Sequence, residues 1–272
     1  MKLMSFTKNG ITGFGAINGD SVMDFSHKFK DLKTMLASGS TLKEGNLIPL
    51  VEVNYLPVIP NPEKIICVGV NYASHIAEMG REPGEFPLLF TRFANSQVGH
   101  NEPMLVPKES EKFDYEGELA LIIGKSGKRI SENNAMNYIA GYSCYNDGSV
   151  RDWQRHTSQF TAGKNFTGTG GFGPWMVSSD EINDPSELQI ETRLNGTVMQ
   201  SAPISDLVFN VPKLIAYIST FTELEPGDVI ITGTTGGVGA ARNPPVWMKA
   251  GDTVEVEISN IGTLVNPIHN AN

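Results

Sequence analysis

An α+β, mostly β fold is predicted by three features of the chain. Short apolar runs of strand length outnumber helical patterns, turn pairs such as Asn-Gly and Gly-Asp recur between them, and the strands do not alternate with long helices. The last feature disfavours a doubly wound sheet and favours a mixed architecture. With 272 residues, 40% of them hydrophobic and 19% charged, the chain can bury one good-sized core and a small appended module.

Residues 1–60 alternate short apolar stretches with turn pairs at Asn9-Gly10, Asn18-Gly19 and Gly19-Asp20, and read as a small N-terminal β-rich module. Leu56 to Pro62 contains three prolines, which remove ladder donors, and is the best linker candidate. Residues 61–272 then form the larger, catalytic domain. It opens with a strand from Ile65 to Val70 and a short helix from Asn71 to Met79, stopped by Gly80. The Gly/Pro-rich stretch from Gly80 to Pro87 places that helix in a lid-like segment. Phe113 to Gly124 reads as a strand that starts at a polar rim and enters the core. Ser131 to Tyr138 reads as a helix with a serine cap, and Val211 to Phe221 as an amphipathic helix. Pro226-Gly227-Asp228 turns into a strand from Val229 to Thr232, and Asn195-Gly196 and Gly251-Asp252 mark further turns.

Thirty acidic against 21 basic residues give a formal net charge of −9, with no basic patch, which argues against nucleic acid as a partner. Cys67 and Cys144, far apart, offer neither a disulfide framework nor a zinc spacing. The start lacks the apolar stretch of a signal peptide, and no run of about 18 apolar residues suggests a membrane span. A cytoplasmic protein without a membrane partner is expected.

Glu116 and Glu118 project from one face of a strand, with Asp147 as a third carboxylate further along the chain. Carboxylates held so close repel unless a cation lies between them. With no His or Cys nearby, the set suits a hard, oxygen-seeking ion such as Mg²⁺ or Mn²⁺. Asp114 shares the face and reads as structural or solvent-facing. His75 and Glu78 stand at i and i+3, where the carboxylate can orient an imidazole acting as general base. Lys164, ahead of a glycine-rich stretch, can neutralise a substrate carboxylate or an enolate. The glycines from Gly168 to Gly173 fit a dinucleotide fingerprint, but Pro174-Trp175 follows where a helix should open, so no dinucleotide site is expected. Thr232 to Gly239 is a threonine-glycine loop whose donors, with the Thr234 hydroxyl, can hold a carboxylate.

In this order the segments resemble the fumarylacetoacetate hydrolase family. The likeness runs from about Lys64 to Val265 through G-x-N-Y-x-x-H-x-x-E (Gly69 to Glu78), Y-E-G-E-L-A (Tyr115 to Ala120), Asp147, R-D-x-Q (Arg151 to Gln154), Gly163-Lys164 and the threonine-glycine loop. The resemblance implies a mixed β-sandwich roll that commonly forms a homodimer. It implies Glu116, Glu118 and Asp147 as ligands of Mg²⁺ or Mn²⁺, with His75 and Glu78 as a water-activating pair. It also suggests Lys164, Gln154 and Thr234 as substrate or enolate contacts, with Arg92 as a further candidate for a substrate carboxylate. Two departures stand out, Thr167 where many members have aspartate and Thr235 where they have proline.

The activity so implied is metal-dependent hydrolysis of a carbon–carbon bond in a small 2,4-diketo acid, giving a carboxylate and a pyruvate-like acid. The alternatives are an oxaloacetate-type decarboxylase, or an oxo-acid hydratase or isomerase, on the same site. From a different class comes a catalytically silent binding protein with the same fold.

Overall fold

The computed structural model describes all residues except Thr41, Lys43, Met79 and Arg81. Strands dominate, as expected, and fall into one twelve-stranded sheet, one five-stranded sheet and a two-stranded ribbon.

The middle of the large sheet sets the site. Strand Gly117–Ile123 lies between Ile139–Asn146 and Val229–Thr234, antiparallel to both, and Ile65–Gly69 runs parallel to Val229–Thr234 on the far side. All seven residues of Gly117–Ile123 are buried, because both faces of the sheet are covered. Leu119, Leu121 and Ile123 face a core shared with Val256 and Leu264 of the five-stranded sheet and with Ile215 of helix Val211–Phe221. Ala120 and Ile122 face a second core with Tyr145, Phe172 and Met176. Full burial of each such large side chain is worth roughly 1.5–3 kcal/mol.

The N-terminal residues continue the large sheet. Strand Lys2–Lys8 pairs with Ile11–Asn18 through the turn at Asn9-Gly10, where both residues have positive φ (53° and 78°), as a type I′ hairpin demands. On its other side Lys2–Lys8 meets Gly170–Ser178. Val58 and Ile59, in the stretch expected to be a linker, are fully buried in the second core.

Three elements differ in detail from expectation. The run from Phe113 to Gly124 is broken at Tyr115 and Glu116 into Phe113–Asp114, which pairs with Ser149–Val150, and Gly117–Ile123. The segment after Ser131 is a 3₁₀ helix, Glu132–Tyr138, without a side-chain cap. The helix after Ile65–Gly69 is Ala73–Glu78; its expected last residue, Met79, lies outside the described residues. Helix Val211–Phe221 has the expected bounds, capped by Asn210. No helix among the described residues is long and apolar enough to cross a membrane.

Candidate active site

The break at Tyr115-Glu116 lies where the central strands end, and there the side chains of Glu116, Glu118 and Asp147 converge. Each offers an oxygen within 4.8 Å of the others, and all three residues are buried. Asp147 is brought in by its own amide, which donates to the Glu116 carbonyl at 2.8 Å, and Glu116 N–H donates to Asn146 Oδ1 at 3.0 Å.

Cations surround two of the three carboxylates. Lys164 bridges Glu116 and Asp147, Arg151 Nη1 lies 2.7 Å from Glu116, and Arg92 Nη1 lies 2.6 Å from Asp147. Burial pushes the Glu116 carboxyl up, yet Lys164 and Arg151 outweigh it and hold the group down at about 2. Burial likewise opposes the charge on Lys164, but Asp147 and Glu116 prevail and raise its pKa, so the ammonium persists. Glu118 is different. Among the described residues its one hydrogen bond comes from Gly233 N–H, and burial together with Asp147 and Glu116 drives its pKa well up. A buried carboxylate with no cationic side chain against it, facing two others, fits a hard divalent cation, which would relieve the repulsion and accept oxygen ligands.

The imidazole of His75 lines the same cavity as Glu116 and Glu118. Helix Ala73–Glu78 is too short to persist alone, and tertiary bonds hold it. Buried Asn71 donates to the carbonyls of Phe209 and Thr232 and accepts from Phe209 N–H, while Asp206 accepts from Ser74 N–H and Oγ–H at the helix start. Val70, just before, has φ of +56°, a strained conformation for a β-branched residue. His75 is buried, with Nδ1 3.1 Å from Glu78 Oε2, and Glu78 Oε1 accepts from Gly237 N–H at 3.0 Å. With Nδ1–H donating to Glu78, the other ring nitrogen, Nε2, is left to act as base.

The threonine-glycine loop thus donates amides to the chain's own carboxylates, Glu118, Glu78 and Asp114. Thr234 Oγ1 donates to Gly117 O and accepts from Gln200 Nε2. Lys164 arrives by close helix contact, since any side chain at Gly163 would strike the Gln154 backbone. Lys164, Gln154, Thr234, His75, Glu116 and Glu118 all line one cavity of about 130 Å³, whose apolar wall includes Val68, Phe90 and Phe160.

Arg92 takes a different place from the one expected. Its guanidinium is fully buried behind the cluster, bonded to Asp147, Gly148 O, Thr169 and Ser96, so it positions Asp147 and does not line the cavity. Arg151, quoted above only as part of R-D-x-Q, lines the cavity instead. It is held by Asp114, Glu116 and Gln154, and its buried Nη2 has no hydrogen-bond partner among the described residues. Asp114 is wholly buried and structural, not solvent-facing; it also accepts from Gly239 and Ala240 N–H.

Three clustered buried carboxylates, two of which line a small cavity together with an imidazole, define a class of protein able to hold a divalent metal beside a bound organic acid. The chain belongs to the fumarylacetoacetate hydrolase family, whose model, described as fumarylacetoacetate (FAA) hydrolase C-terminal, matches residues 64–269. Among curated proteins it is 44% identical over 218 residues to the oxaloacetate tautomerase fahd2, mitochondrial, of Xenopus laevis, covering 79% of this chain and 68% of that one. Among solved structures it resembles fumarylacetoacetate hydrolase from Exiguobacterium antarcticum, with TM-score 0.90 and 34% identity over the whole of both chains. It also resembles 2-hydroxyhepta-2,4-diene-1,7-dioate isomerase from Mycobacterium marinum, with TM-score 0.84 and 32% identity, covering 100% of this chain and 99% of that one.

Proposed function

We propose that the chain is a divalent-metal-dependent tautomerase of a small 2-oxo acid of the oxaloacetate type, moving a proton between C3 and the C2 oxygen. The observation that carries this reading is the single imidazole facing the carboxylate cluster, with Nδ1 committed to Glu78 and Nε2 free. The tautomerase name of the Xenopus relative supports it. The His75–Glu78 pair, read with the family resemblance, favours hydrolysis; that relative favours the isomerase alternative.

Glu116, Glu118 and Asp147 would hold the metal. When bound, a Mg²⁺ or Mn²⁺ ion supplies Lewis acidity toward the acid's carboxylate and C2 oxygen. Arg151 and Gln154, which line the cavity, would hold the substrate carboxylate at its wall. His75 Nε2 takes the C3 proton and returns it to the oxygen, while Glu78 fixes the ring and balances its transient charge. Lys164 bridges Glu116 and Asp147, helps hold the Glu116 carboxyl down, and adds positive charge near the developing enolate. Thr234 supports the wall through Gly117 O.

Hydrolysis is the second reading, because the His75–Glu78 pair suits activation of water and the Exiguobacterium neighbour is named a hydrolase. The readings separate on products. Oxaloacetate is followed by its enol absorbance and acetylpyruvate by mass, each with Mg²⁺ and after chelation. Enol–ketone conversion that stops on chelation and yields no new compound supports the tautomerase, and His75→Ala lowers it ~100-fold or more. Acetate and pyruvate from acetylpyruvate would move the assignment to hydrolysis, and carbon dioxide from oxaloacetate to decarboxylation. The homodimer implied by the family likeness is retained as a proposal, checked by light scattering of the full chain.

A further inference from the structure

Glu116 and Glu118 are separated by one glycine, the residue whose backbone is least constrained by its own chemistry. The strand ladder does not make up for this freedom. Gly117 opens its strand directly after the break at Tyr115 and Glu116, and the pairing with Val229–Thr234 shifts register between Glu118 and Ala120. The spacing of two carboxylates that would share one cation therefore depends on a brace from outside the large sheet.

That brace is Gln200, buried on strand Thr197–Pro203 of the five-stranded sheet. Its Oε1 accepts from Gly117 N–H at 2.9 Å, and its Nε2 donates to Thr234 Oγ1 at 2.7 Å and to Thr235 O at 3.0 Å. Thr234 Oγ1 in turn donates to Gly117 O at 3.0 Å, which closes a ring of hydrogen bonds around the two peptide groups of Gly117. The five-stranded sheet comes this close only over a glycine, since a Cβ at Gly117 would lie 2.0 Å from Thr192 Oγ1. A buried glutamine bonded to backbone ordinarily serves folding alone. Gln200 is set apart by its partners, the residue between two of the three clustered carboxylates and a threonine that lines the cavity.

We propose that Gln200 is a positioning residue for the metal site, fixing the separation of Glu116 and Glu118 by clamping Gly117 against the threonine-glycine loop. The inference rests on the reading of the carboxylate cluster as a divalent-cation site and is independent of the reaction carried out there. Mg²⁺ demands near-ideal octahedral geometry, whereas Ca²⁺ accepts a flexible shell of oxygens. A loosened Gly117 therefore penalises Mg²⁺ more than Ca²⁺, a discrimination that loss of stability alone does not produce.

The test is calorimetric titration of Mg²⁺ and of Ca²⁺ into the full chain, at a temperature where circular dichroism shows each variant folded. Gln200→Met keeps the length of the side chain and removes its amide; Mg²⁺ affinity is expected to fall roughly tenfold or more, and the preference for Mg²⁺ over Ca²⁺ about fivefold. Gln200→Asn keeps the amide but shortens its reach, so it shifts the preference in the same direction by less, and it carries the test if Gln200→Met does not fold. Ile190→Ala, a buried truncation on the neighbouring strand Gln189–Leu194, is the control for stability: it melts lower and keeps the wild-type preference. A wild-type preference in the Gln200 variants, or an equal change in Ile190→Ala, would overturn the role of Gln200 and leave the metal reading standing. Absence of saturable Mg²⁺ binding by the wild type would overturn the metal reading, and this proposal with it.

Discussion

Glu118 differs from Glu116 and Asp147 in having no ion-pair partner among the described residues, only the amide of Gly233. Its burial is tolerable because a cation would complete it, so removing its charge should have opposite consequences with and without metal. In chelator, Glu118→Gln is expected to melt no lower than the wild type, since repulsion from Asp147 and Glu116 is relieved. With Mg²⁺ in ~100-fold excess over its dissociation constant, the wild type should gain about 2.7 kcal/mol and the variant almost none. Differential scanning calorimetry checks both arms; an equal Mg²⁺-induced shift in the two proteins would remove Glu118 from the metal site. At this scale much of the site is legible in the sequence. Glu116 and Glu118 are visible because strand alternation places them together, and His75 and Glu78 because helical spacing does. Arg151 is not, because its orientation depends on Asp114, 37 residues away, and on a break in the strand that no local pattern announces. The misplacement of Arg92 has a similar cause. Its charge is read from the sequence, but the Asp147, Ser96 and Thr169 side chains that consume its donors come from three separate segments.

The element that governs the proposed base is the six-residue helix Ala73–Glu78. Its own hydrogen bonds are too few to hold it, and its position is fixed by Asn71 just before it, by Asp206 at its start and by the Gly237 amide on Glu78 at its end. Asn71 makes three hydrogen bonds to the backbone of Phe209 and Thr232, which belong to separate segments of the chain. Asn71→Ala leaves those backbone groups unsatisfied, so a loss of roughly 2–4 kcal/mol is expected from chemical denaturation. Turnover should fall further than substrate affinity, because the base is displaced while the carboxylate cluster remains. A variant that lost affinity and turnover in equal proportion would show that the helix serves binding and not the positioning of His75. The helix was readable from Gly80 as its stop, which has φ of +61°, whereas its dependence on Asn71 was not, since all of that residue's partners are distant in sequence. The strand Phe113 to Gly124 illustrates the reverse. Its apolar run was readable, but the break that aims Glu116 into the cavity follows from pairing of Phe113–Asp114 with Ser149–Val150 rather than with the main sheet.

At the scale of the molecule, the first and last parts of the chain are tied together beside the large sheet by His100. Its ring packs edge-on to Tyr55 at 4.8 Å between centroids, and Nδ1 accepts from Val265 N–H of strand Gly262–Asn270. Burial lowers its pKa to about 4, well below the 6.5 of an unburied histidine. A folded-state value below the unfolded one means that protonation favours unfolding. The contribution is complete above pH 6.5, falls as pH drops toward 4 and is constant below that. Allowing for partial exposure, a loss on the order of 2 kcal/mol is expected across this window. His100→Asn, titrated by thermal melting, should show a flatter slope between pH 6.5 and 4, and an unchanged slope would remove His100 from the account. The mostly β class was legible in the turn pairs and strand lengths. That the first sixty residues share a sheet with the rest was not, because the pairing of Lys2–Lys8 with Gly170–Ser178 is set by contacts across the whole chain.

The central claim proposed for the site is that His75, beside three carboxylates that would hold a divalent cation, moves a proton at C3 of a 2-oxo acid. Solvent-deuterium incorporation into C3 of oxaloacetate, followed by proton NMR in D₂O with Mg²⁺, tests it most directly. The account predicts C3 exchange that outpaces any carbon dioxide release, stops on chelation and is lost in His75→Ala; exchange indifferent to chelation, or carbon dioxide formed as fast as deuterium enters, would contradict it.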